Sequence, residues 1–236
     1  MRNKVNRTRV AFAIMALAAI VLAGCCGKTE QTKPEHPSFN WSDSTTAKYR
    51  YDKNVNQLVL VQYTGGHEAI VRMFVKSYQD TMPVWTEKLV CAGYVGRDGL
   101  VVEPPHRNYK TPIGDYGMIT AFGIKPNPGT SLPYIDVTEY TYSCDIDCPF
   151  YNMIIDYREH PEACVGEHMI DYTPYYNYGF FFDYNKEQNL NLNSSIFFHC
   201  TGQDLYTAGC IAVSEENMVT ILQNIDMGAR LIINYL

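Results

Sequence analysis

The C-terminal segment from residue 195 constrains the fold of this chain most strongly. An apolar run ends at His199, a small Ala-Gly step presents Cys210, and a second short apolar run follows at residues 211–213. Short apolar runs between turn residues are typical of buried strands, and Gly supplies the backbone freedom that a tight turn needs. The pattern predicts two strands and, between them, a turn that presents a cysteine.

A helix and a final strand are predicted directly after this turn. Ser214 and the two glutamates after it have the composition of a helix N-terminus, because Ser caps free backbone N–H groups and acids favour the first turn. Apolar residues then recur at helical spacing up to Ile225, so one face should pack on the core. Gly228 predicts the end of the helix, and residues 229–236 predict a strand.

Strand signals also dominate the chain before this segment. Residues 57–63 and 69–78 are rich in Val, Leu and Ile and flank a Gly-Gly pair, which predicts a hairpin. Residues 85–95 and 176–184 predict further strands. Because only one helix is indicated, we predict a mainly β fold.

The N-terminus has the features of a bacterial export signal. Basic residues precede an apolar run at residues 10–23 that is too short to span a bilayer comfortably. The run ends in Leu-Ala-Gly-Cys25, which resembles the lipobox of bacterial lipoproteins and implies a lipid on the Cys25 sulfur. A secretory signal cut near Ala23 is the alternative. We predict a signal peptide at residues 1–24, a lipidated flexible tether at 25–50 and one domain at 51–236, held outside the cytoplasm on a membrane surface.

The charge of the chain argues against a nucleic-acid partner. The leader holds four of the 19 Lys and Arg residues and none of the 25 Asp and Glu residues, so its removal would leave a formal charge of −10. Nucleic-acid binding needs clustered basic residues instead. The predicted domain of about 185 residues is long enough for one full hydrophobic core.

Eight cysteines occur, and three of them lie in one polar, aromatic stretch. Cys144, Cys148 and Cys164 can form one disulfide in an oxidising compartment, but the spacing does not fix the pair. A zinc site formed by these three with a His is the alternative, although C-x3-C is not a usual zinc spacing. We predict no metal and no cofactor.

His199 and Cys210 have the order and residue types that thiol catalysis uses. A thiol nucleophile needs a base and backbone N–H groups around a developing oxyanion. The alternatives are a cysteine that is only a small buried hydrophobe and a histidine satisfied within the core. Cys200 follows the histidine directly and should point to the opposite face of its strand, where it is in the core or in a disulfide.

Several short motifs occur in a fixed order along residues 55–236: Val95-Gly-Arg-Asp-Gly-Leu100, Lys110-Thr-Pro-Ile-Gly-Asp-Tyr116, Asp183-Tyr-Asn185, and Ile196-Phe-Phe-His199 with Thr207-Ala-Gly-Cys210. Together they resemble the L,D-transpeptidase catalytic domain family of the YkuD type. The resemblance implies a β-sandwich or barrel with a few helices.

The resemblance also implies a cysteine acyltransferase that acts on peptidoglycan stem peptides and forms 3-3 crosslinks. Cys210 would form a thioester with release of D-alanine, and His199, oriented by a backbone carbonyl, would be its base. The N–H groups of Gly209 and of its neighbours Ala208 and Cys210 would stabilise the oxyanion. The alternatives are an L,D-carboxypeptidase or amidase that uses the same site, and a non-catalytic cell-wall-binding lipoprotein.

The chain departs from the commoner family motif beside the cysteine. Ala208 stands where that motif has His, Ala212 stands where it has Arg, and the His-to-Cys spacing is shorter, which indicates a divergent Thr-Ala-Gly-Cys branch. Without that Arg, the recognition of a substrate carboxylate is open. The candidates for substrate binding are Thr207, Ser195 and His168.

Three other features have both a structural and a functional interpretation. The tyrosines between residues 172 and 178 predict alternating strand residues, or a surface on which sugars or peptides stack. Thr111-Pro112 predicts a structural turn rather than a binding element. The insert at residues 124–170 predicts a lid over the cleft or a disulfide-tied flap.

Overall fold

The computed structural model describes residues 44–163 and 166–235. The predicted signal peptide, Cys25 and most of the predicted tether lie outside the described residues, as does Cys164. Within the described part, no helix has the length and hydropathy to cross a membrane.

Strands form most of the secondary structure, as the sequence predicts. Two 3₁₀ turns, Met169–Asp171 and Tyr175–Asn177, precede the strand that begins at Gly179. In chain order the regular elements are α1 (Thr45–Lys48), β1 (Gln57–Gly65), β2 (Glu68–Gln79), β3 (Met82–Tyr94), β4 (Leu100–Val101), β5 (Thr111–Pro112), β6 (Gly114–Gly123), β7 (Tyr134–Asp136), β8 (Thr141–Ser143), β9 (Ile154–Asp156), β10 (Glu167–His168), β11 (Gly179–Phe182), β12 (Phe197–Cys200), β13 (Ile211–Val213), α2 (Glu215–Leu222) and β14 (Arg230–Tyr235).

The main sheet closes into a barrel-like ring. The predicted hairpin is confirmed as β1 and β2, β3 pairs with β2, and β14 lies parallel to β1. From β3 the sheet continues through β13, β12 and β11, and β11 pairs with β6, which also pairs with β14. Because β12 and β13 are parallel neighbours, the strand that carries His199 lies beside the strand that follows Cys210.

Strand β1 is buried on both faces, which explains its continuous apolar run. Val59 and Val61 pack in the main hydrophobic cluster with residues of β12, β14 and α2. Leu58 and Leu60 pack in a second cluster, which is covered by Tyr49 from the chain before the strand. Full burial of such a side chain contributes about 1.5–3 kcal/mol, so β1 anchors both clusters.

The chain before β1 packs on the sheet. The buried Lys76 ammonium donates to the carbonyl oxygens of Tyr49 at 2.7 Å and Asp52 at 2.6 Å. The indole N–H of Trp85 donates to the carbonyl oxygen of Thr46 at 3.0 Å. The folded part therefore begins before residue 51, because side chains far along the sequence bind the last residues of the predicted tether.

Helix α2 begins where the sequence predicts and ends earlier. The Ser214 hydroxyl accepts the N–H of Asn217 at 3.4 Å as the N-cap. The helix ends at Leu222, so the prediction that Gly228 ends it is wrong. Gly228 lies in the next turn, where a Cβ would come within 2.3 Å of the Asn54 carbonyl oxygen. A close backbone approach, not helix capping, requires this glycine.

The tyrosine run does not form the strand that the sequence predicts from residue 176. Its backbone turns back on itself, because the N–H of Tyr176 donates to the Tyr172 carbonyl at 2.9 Å and that of Asn177 to the Pro174 carbonyl at 3.1 Å. Strand β11 begins only at Gly179. Tyr176 is buried as a result, and its ring stacks on that of the exposed Tyr172.

The insert at residues 124–170 contributes β7 to the main sheet and forms a small separate sheet of β8, β9 and β10. Cys144 is buried there against Ile155 and Phe150. Cys148 is disulfide-bonded, so its sulfur is not available as a zinc ligand. Among the described residues, no cluster of three or more His, Cys, Asp or Glu side chains could hold a metal ion.

Candidate active site

The turn that presents Cys210 is held by the side chain of Thr207. The Thr207 hydroxyl donates to the carbonyl oxygen of Cys210 at 2.7 Å and accepts the N–H of Gly209 at 3.1 Å. Gly209 has φ 141°, and a Cβ there would lie 2.9 Å from the Ile196 side chain. Only glycine fits this conformation and this space, so the Ala-Gly-Cys step is a structural requirement of the turn.

Two upstream motifs, at residues 95–100 and 110–116, form hydrogen bonds with the same turn. The hydroxyl of the fully buried Thr111 accepts the N–H of Gly96 at 2.8 Å and donates to the carbonyl oxygen of Gly209 at 2.7 Å. The N–H of Thr207 donates to the carbonyl oxygen of Val95 at 3.1 Å. These bonds support the interpretation of Thr111-Pro112 as a structural element, because they connect it to the cysteine turn.

His199 and Cys210 lie on the same face of neighbouring strands. Ala212 is the register partner of His199, and Cys210 precedes Ala212 by two residues, which places it diagonally across from the histidine. The His199 Nδ1 donates to the carbonyl oxygen of Cys200 at 2.8 Å, so a backbone carbonyl orients the ring, as the resemblance implies. The ring packs edge-on against Tyr176, which belongs to the same hydrophobic cluster as Cys210.

Burial keeps both members of this pair neutral. It raises the pKa of the Cys210 thiol to about 12 and lowers the pKa of His199 to about 4. The Cys210 sulfur accepts the N–H of Phe197 at 3.3 Å, and its S–H donates to the carbonyl oxygen of Ser195 at 3.3 Å. Near neutral pH the site therefore holds a protonated thiol and an uncharged imidazole.

Ser195 holds the thiol through its backbone rather than through its hydroxyl. Its φ is 56°, a left-handed conformation that is uncommon for a residue with a side chain. Its N–H donates to the Asn152 side chain at 2.9 Å, and its hydroxyl bonds that of Ser143 at 2.5 Å. These two contacts fix the carbonyl that meets the Cys210 thiol.

A cleft of about 490 Å³ opens at Cys210. Two other predicted site residues, Ser195 and Ala208, also line it. Thr207 is buried in the turn instead, and His168 does not line the cleft. Both ring nitrogens of His168 are engaged, Nδ1 with Asp171 at 2.8 Å and Nε2 with the Glu139 carbonyl at 2.9 Å.

The sequence analysis did not identify five charged or titratable residues of the cleft: His106, Arg107, Tyr109, Asp145 and Glu167. Glu167 directly precedes His168 on β10. Because neighbouring strand residues face opposite sides, the sequence offered Glu167 as the alternative to His168 for a position at the cleft. Burial raises the pKa of Glu167 to about 7. No local pattern indicates Arg107, which lies in a loop with φ 61° and has no ion-pair partner among the described residues.

The backbone N–H groups of the turn are not equivalent. That of Gly209 is bonded to Thr207, which removes it from the predicted set of oxyanion donors. In the described part of the chain, the N–H groups of Ala208 and Cys210 have no hydrogen-bond acceptor. Two donors, two positions apart in the chain, therefore remain in the turn that lines the cleft. Cys200 is a free cysteine and faces away from this site, as the sequence predicts. Its thiol donates to the Tyr178 carbonyl at 3.3 Å.

The comparison with known families agrees with this geometry. The family model for YkuD, the L,D-transpeptidase catalytic domain, matches residues 71–233. No curated protein matches the chain. The matched range extends from β2 into β14 and contains both His199 and Cys210. Because the match covers more than half of the chain, the protein belongs to the L,D-transpeptidase catalytic domain family.

Proposed function

We propose that the protein is a cysteine acyltransferase that acts on peptidoglycan stem peptides and forms 3-3 crosslinks through a Cys210 thioester. One observation carries the proposal: Cys210 lines a cleft of about 490 Å³, and its side chain lies on the same face of the sheet as that of His199. Membership of a family of L,D-transpeptidase catalytic domains supports the peptidoglycan substrate.

The reaction takes place in two steps. His199 takes the thiol proton as the Cys210 sulfur attacks the carbonyl carbon of the third stem residue. The bond to the D-alanine nitrogen breaks, that nitrogen takes the proton from His199, and a thioester remains. A side-chain amine of a second stem then attacks the thioester, forms the new amide bond and releases the sulfur, which takes back a proton. Water in place of the amine gives a trimmed tripeptide.

The neutral state of the pair supports proton transfer during attack rather than a preformed thiolate. A thiolate beside a protonated imidazole is disfavoured while burial holds the pKa of Cys210 near 12 and that of His199 near 4. The N–H groups of Ala208 and Cys210 are the proposed donors to the oxyanion. Such a donor contributes roughly 3–4 kcal/mol to transition-state stabilisation in acyl-transfer enzymes.

The charges of the cleft suit a substrate with both a carboxylate and an amine. Arg107 is exposed at the cleft and can bind the terminal carboxylate of the substrate. It would replace the Arg of the commoner family motif, whose place in this chain is taken by Ala212. Asp145 and Glu167 line the same cleft and offer acceptors to an ammonium group. A stem peptide with a diamino acid carries both groups.

The place of the enzyme in the cell is part of the proposal. A signal peptide at residues 1–24 and a lipid on Cys25 would hold the domain on the outer side of a bacterial membrane, where peptidoglycan lies. Support comes from the Leu-Ala-Gly-Cys sequence at the end of the apolar run.

The test is incubation of residues 27–236 with a purified disaccharide-tetrapeptide, with products identified by mass spectrometry. We expect a dimer that has lost one D-alanine, and we expect none from Cys210→Ala. Cys200→Ala is the matched control, because this second buried thiol faces away from the cleft and should be dispensable.

Other outcomes separate the alternatives. A Cys210-dependent tripeptide without dimer identifies an L,D-carboxypeptidase. If the folded protein changes nothing but binds sacculi equally well as Cys210→Ala, the domain is a cell-wall-binding module and the proposal is overturned.

A further inference from the structure

We propose that Glu167 is a positioning residue for the thiol reaction, which acts through Tyr176 on the His199 ring and through its own charge on the Cys210 sulfur. This inference rests on the proposed function, because it takes Cys210 as the nucleophile. It concerns a side chain that neither the sequence motifs nor the family match singles out.

The geometry connects Glu167 to both members of the pair. Glu167 lines the cleft at Cys210, and its Oε2 accepts the hydroxyl of Tyr176 at 2.8 Å. The Tyr176 ring is buried, lies edge-on to the His199 ring with centroids 5.5 Å apart, and packs edge-on against Phe197 at 5.8 Å. The Phe197 N–H in turn donates to the Cys210 sulfur. Glu167 thus holds the tyrosine that packs beside the histidine.

The protonation state of the Glu167 carboxyl group also sets the charge in the cleft near the Cys210 sulfur. An ionised Glu167 disfavours a thiolate at Cys210, since like charges in one desolvated site repel each other. Burial and the charge of Asp145 raise the pKa of Glu167 to about 7, while the bond from Tyr176 lowers it. The carboxyl group of Glu167 therefore loses its proton near neutral pH. The titratable and charged groups around it are Asp145, Tyr172, Tyr176 and Cys210, with His106 and Arg107 in the same cleft.

The experiment measures the rate at which iodoacetamide alkylates Cys210 in the folded protein from pH 5.5 to 9.5, resolved by peptide mass spectrometry. Glu167→Gln keeps the shape of the side chain and cannot ionise. We expect it to match the unmodified protein below about pH 6 and to react about 3- to 10-fold faster at pH 8.5, because one nearby negative charge is gone. Alkylation of Cys91, a free and partly exposed thiol on β3, is the internal reference in the same digest.

Two further variants separate charge from packing. Tyr176→Phe removes the hydroxyl that lowers the pKa of Glu167, so the pH at which the carboxyl slows alkylation should move upward. Glu162→Gln is the matched control, because this carboxylate lies in the same insert with a side chain that is 65% exposed, and its profile should not change.

A Glu167→Gln profile that runs parallel to that of the unmodified protein over the whole range would overturn the inference, since a packing role changes the rate equally at every pH. If the variant does not fold, the pH profile of the unmodified protein tests the inference. We expect its rate of Cys210 alkylation to rise less steeply near pH 7, where Glu167 ionises. A profile that fits the titration of one thiol alone contradicts the inference. Because alkylation needs no peptidoglycan, a positive result here with no crosslinking activity would refute the proposed function alone.

Discussion

Replacement of Thr111 by valine tests whether the upstream motif supports the cysteine turn. Valine keeps the shape of the fully buried threonine and removes its hydroxyl, so the N–H of Gly96 and the carbonyl oxygen of Gly209 lose their partner. An unsatisfied buried polar group costs about 1–3 kcal/mol. For the two groups together we expect Thr111→Val to lower the free energy of unfolding by about 2–6 kcal/mol.

Urea unfolding of residues 27–236, followed by circular dichroism and tryptophan fluorescence, measures this loss as a lower midpoint at an unchanged slope. Thr220→Val is the matched control, because its hydroxyl bonds a carbonyl on the exposed side of α2 and its loss should cost less than about 0.5 kcal/mol. The Cys210 turn should also loosen, which a changed alkylation rate would report. If Thr111→Val is as stable as the control, the hydroxyl does not hold the turn and the argument fails.

Three further results are expected. Gly209→Ala should destabilise the fold by about 2–3 kcal/mol in the same urea experiment, because the residue has φ 141° and no space for a Cβ. Gly129→Ala is the control and should cost less, because Gly129 has φ 100° but lies in open space. Because burial lowers the pKa of His199 from 6.5 to about 4, protonation favours the unfolded chain. Stability should then fall by about 3 kcal/mol between pH 6.5 and 4, and His199→Asn should not show this part of the loss. Arg107→Met should raise KM about tenfold for a stem peptide with a free terminal carboxylate, because one charge-assisted hydrogen bond is lost, but should not raise it for the corresponding carboxamide. Lys186→Met lies outside this cleft and should leave the KM of both peptides unchanged.

Local patterns predicted the elements that neighbouring residues determine. The β1–β2 hairpin follows from two apolar runs around Gly65 and Gly66, both of which adopt the positive φ that a glycine turn allows. The start of α2 follows from Ser214, because a capping side chain acts within three residues. In both cases the deciding interaction lies inside the window that a sequence pattern covers.

Contacts between distant segments account for what the sequence did not predict. The sequence predicts a helix cap at Gly228, whereas the structure requires glycine there because the carbonyl oxygen of Asn54, far away in the chain, leaves no space for a Cβ. Glu167 and Arg107 reach the cleft from the insert and from a loop before β5, and no spacing relates either of them to Cys210. The pairing of His199 with Cys210 could be predicted from the sequence because the parallel strands β12 and β13 follow each other closely in the chain.

The S–H bond from Cys210 to the Ser195 carbonyl has a consequence for the lifetime of the enzyme. Peroxide oxidises thiolates far faster than thiols, so a cysteine whose pKa burial raises to about 12 forms sulfenic acid slowly. The left-handed backbone at Ser195 fixes the carbonyl that accepts this S–H, and burial disfavours the thiolate form of the same sulfur. A buried thiol of this kind should therefore resist peroxide longer than an exposed cysteine.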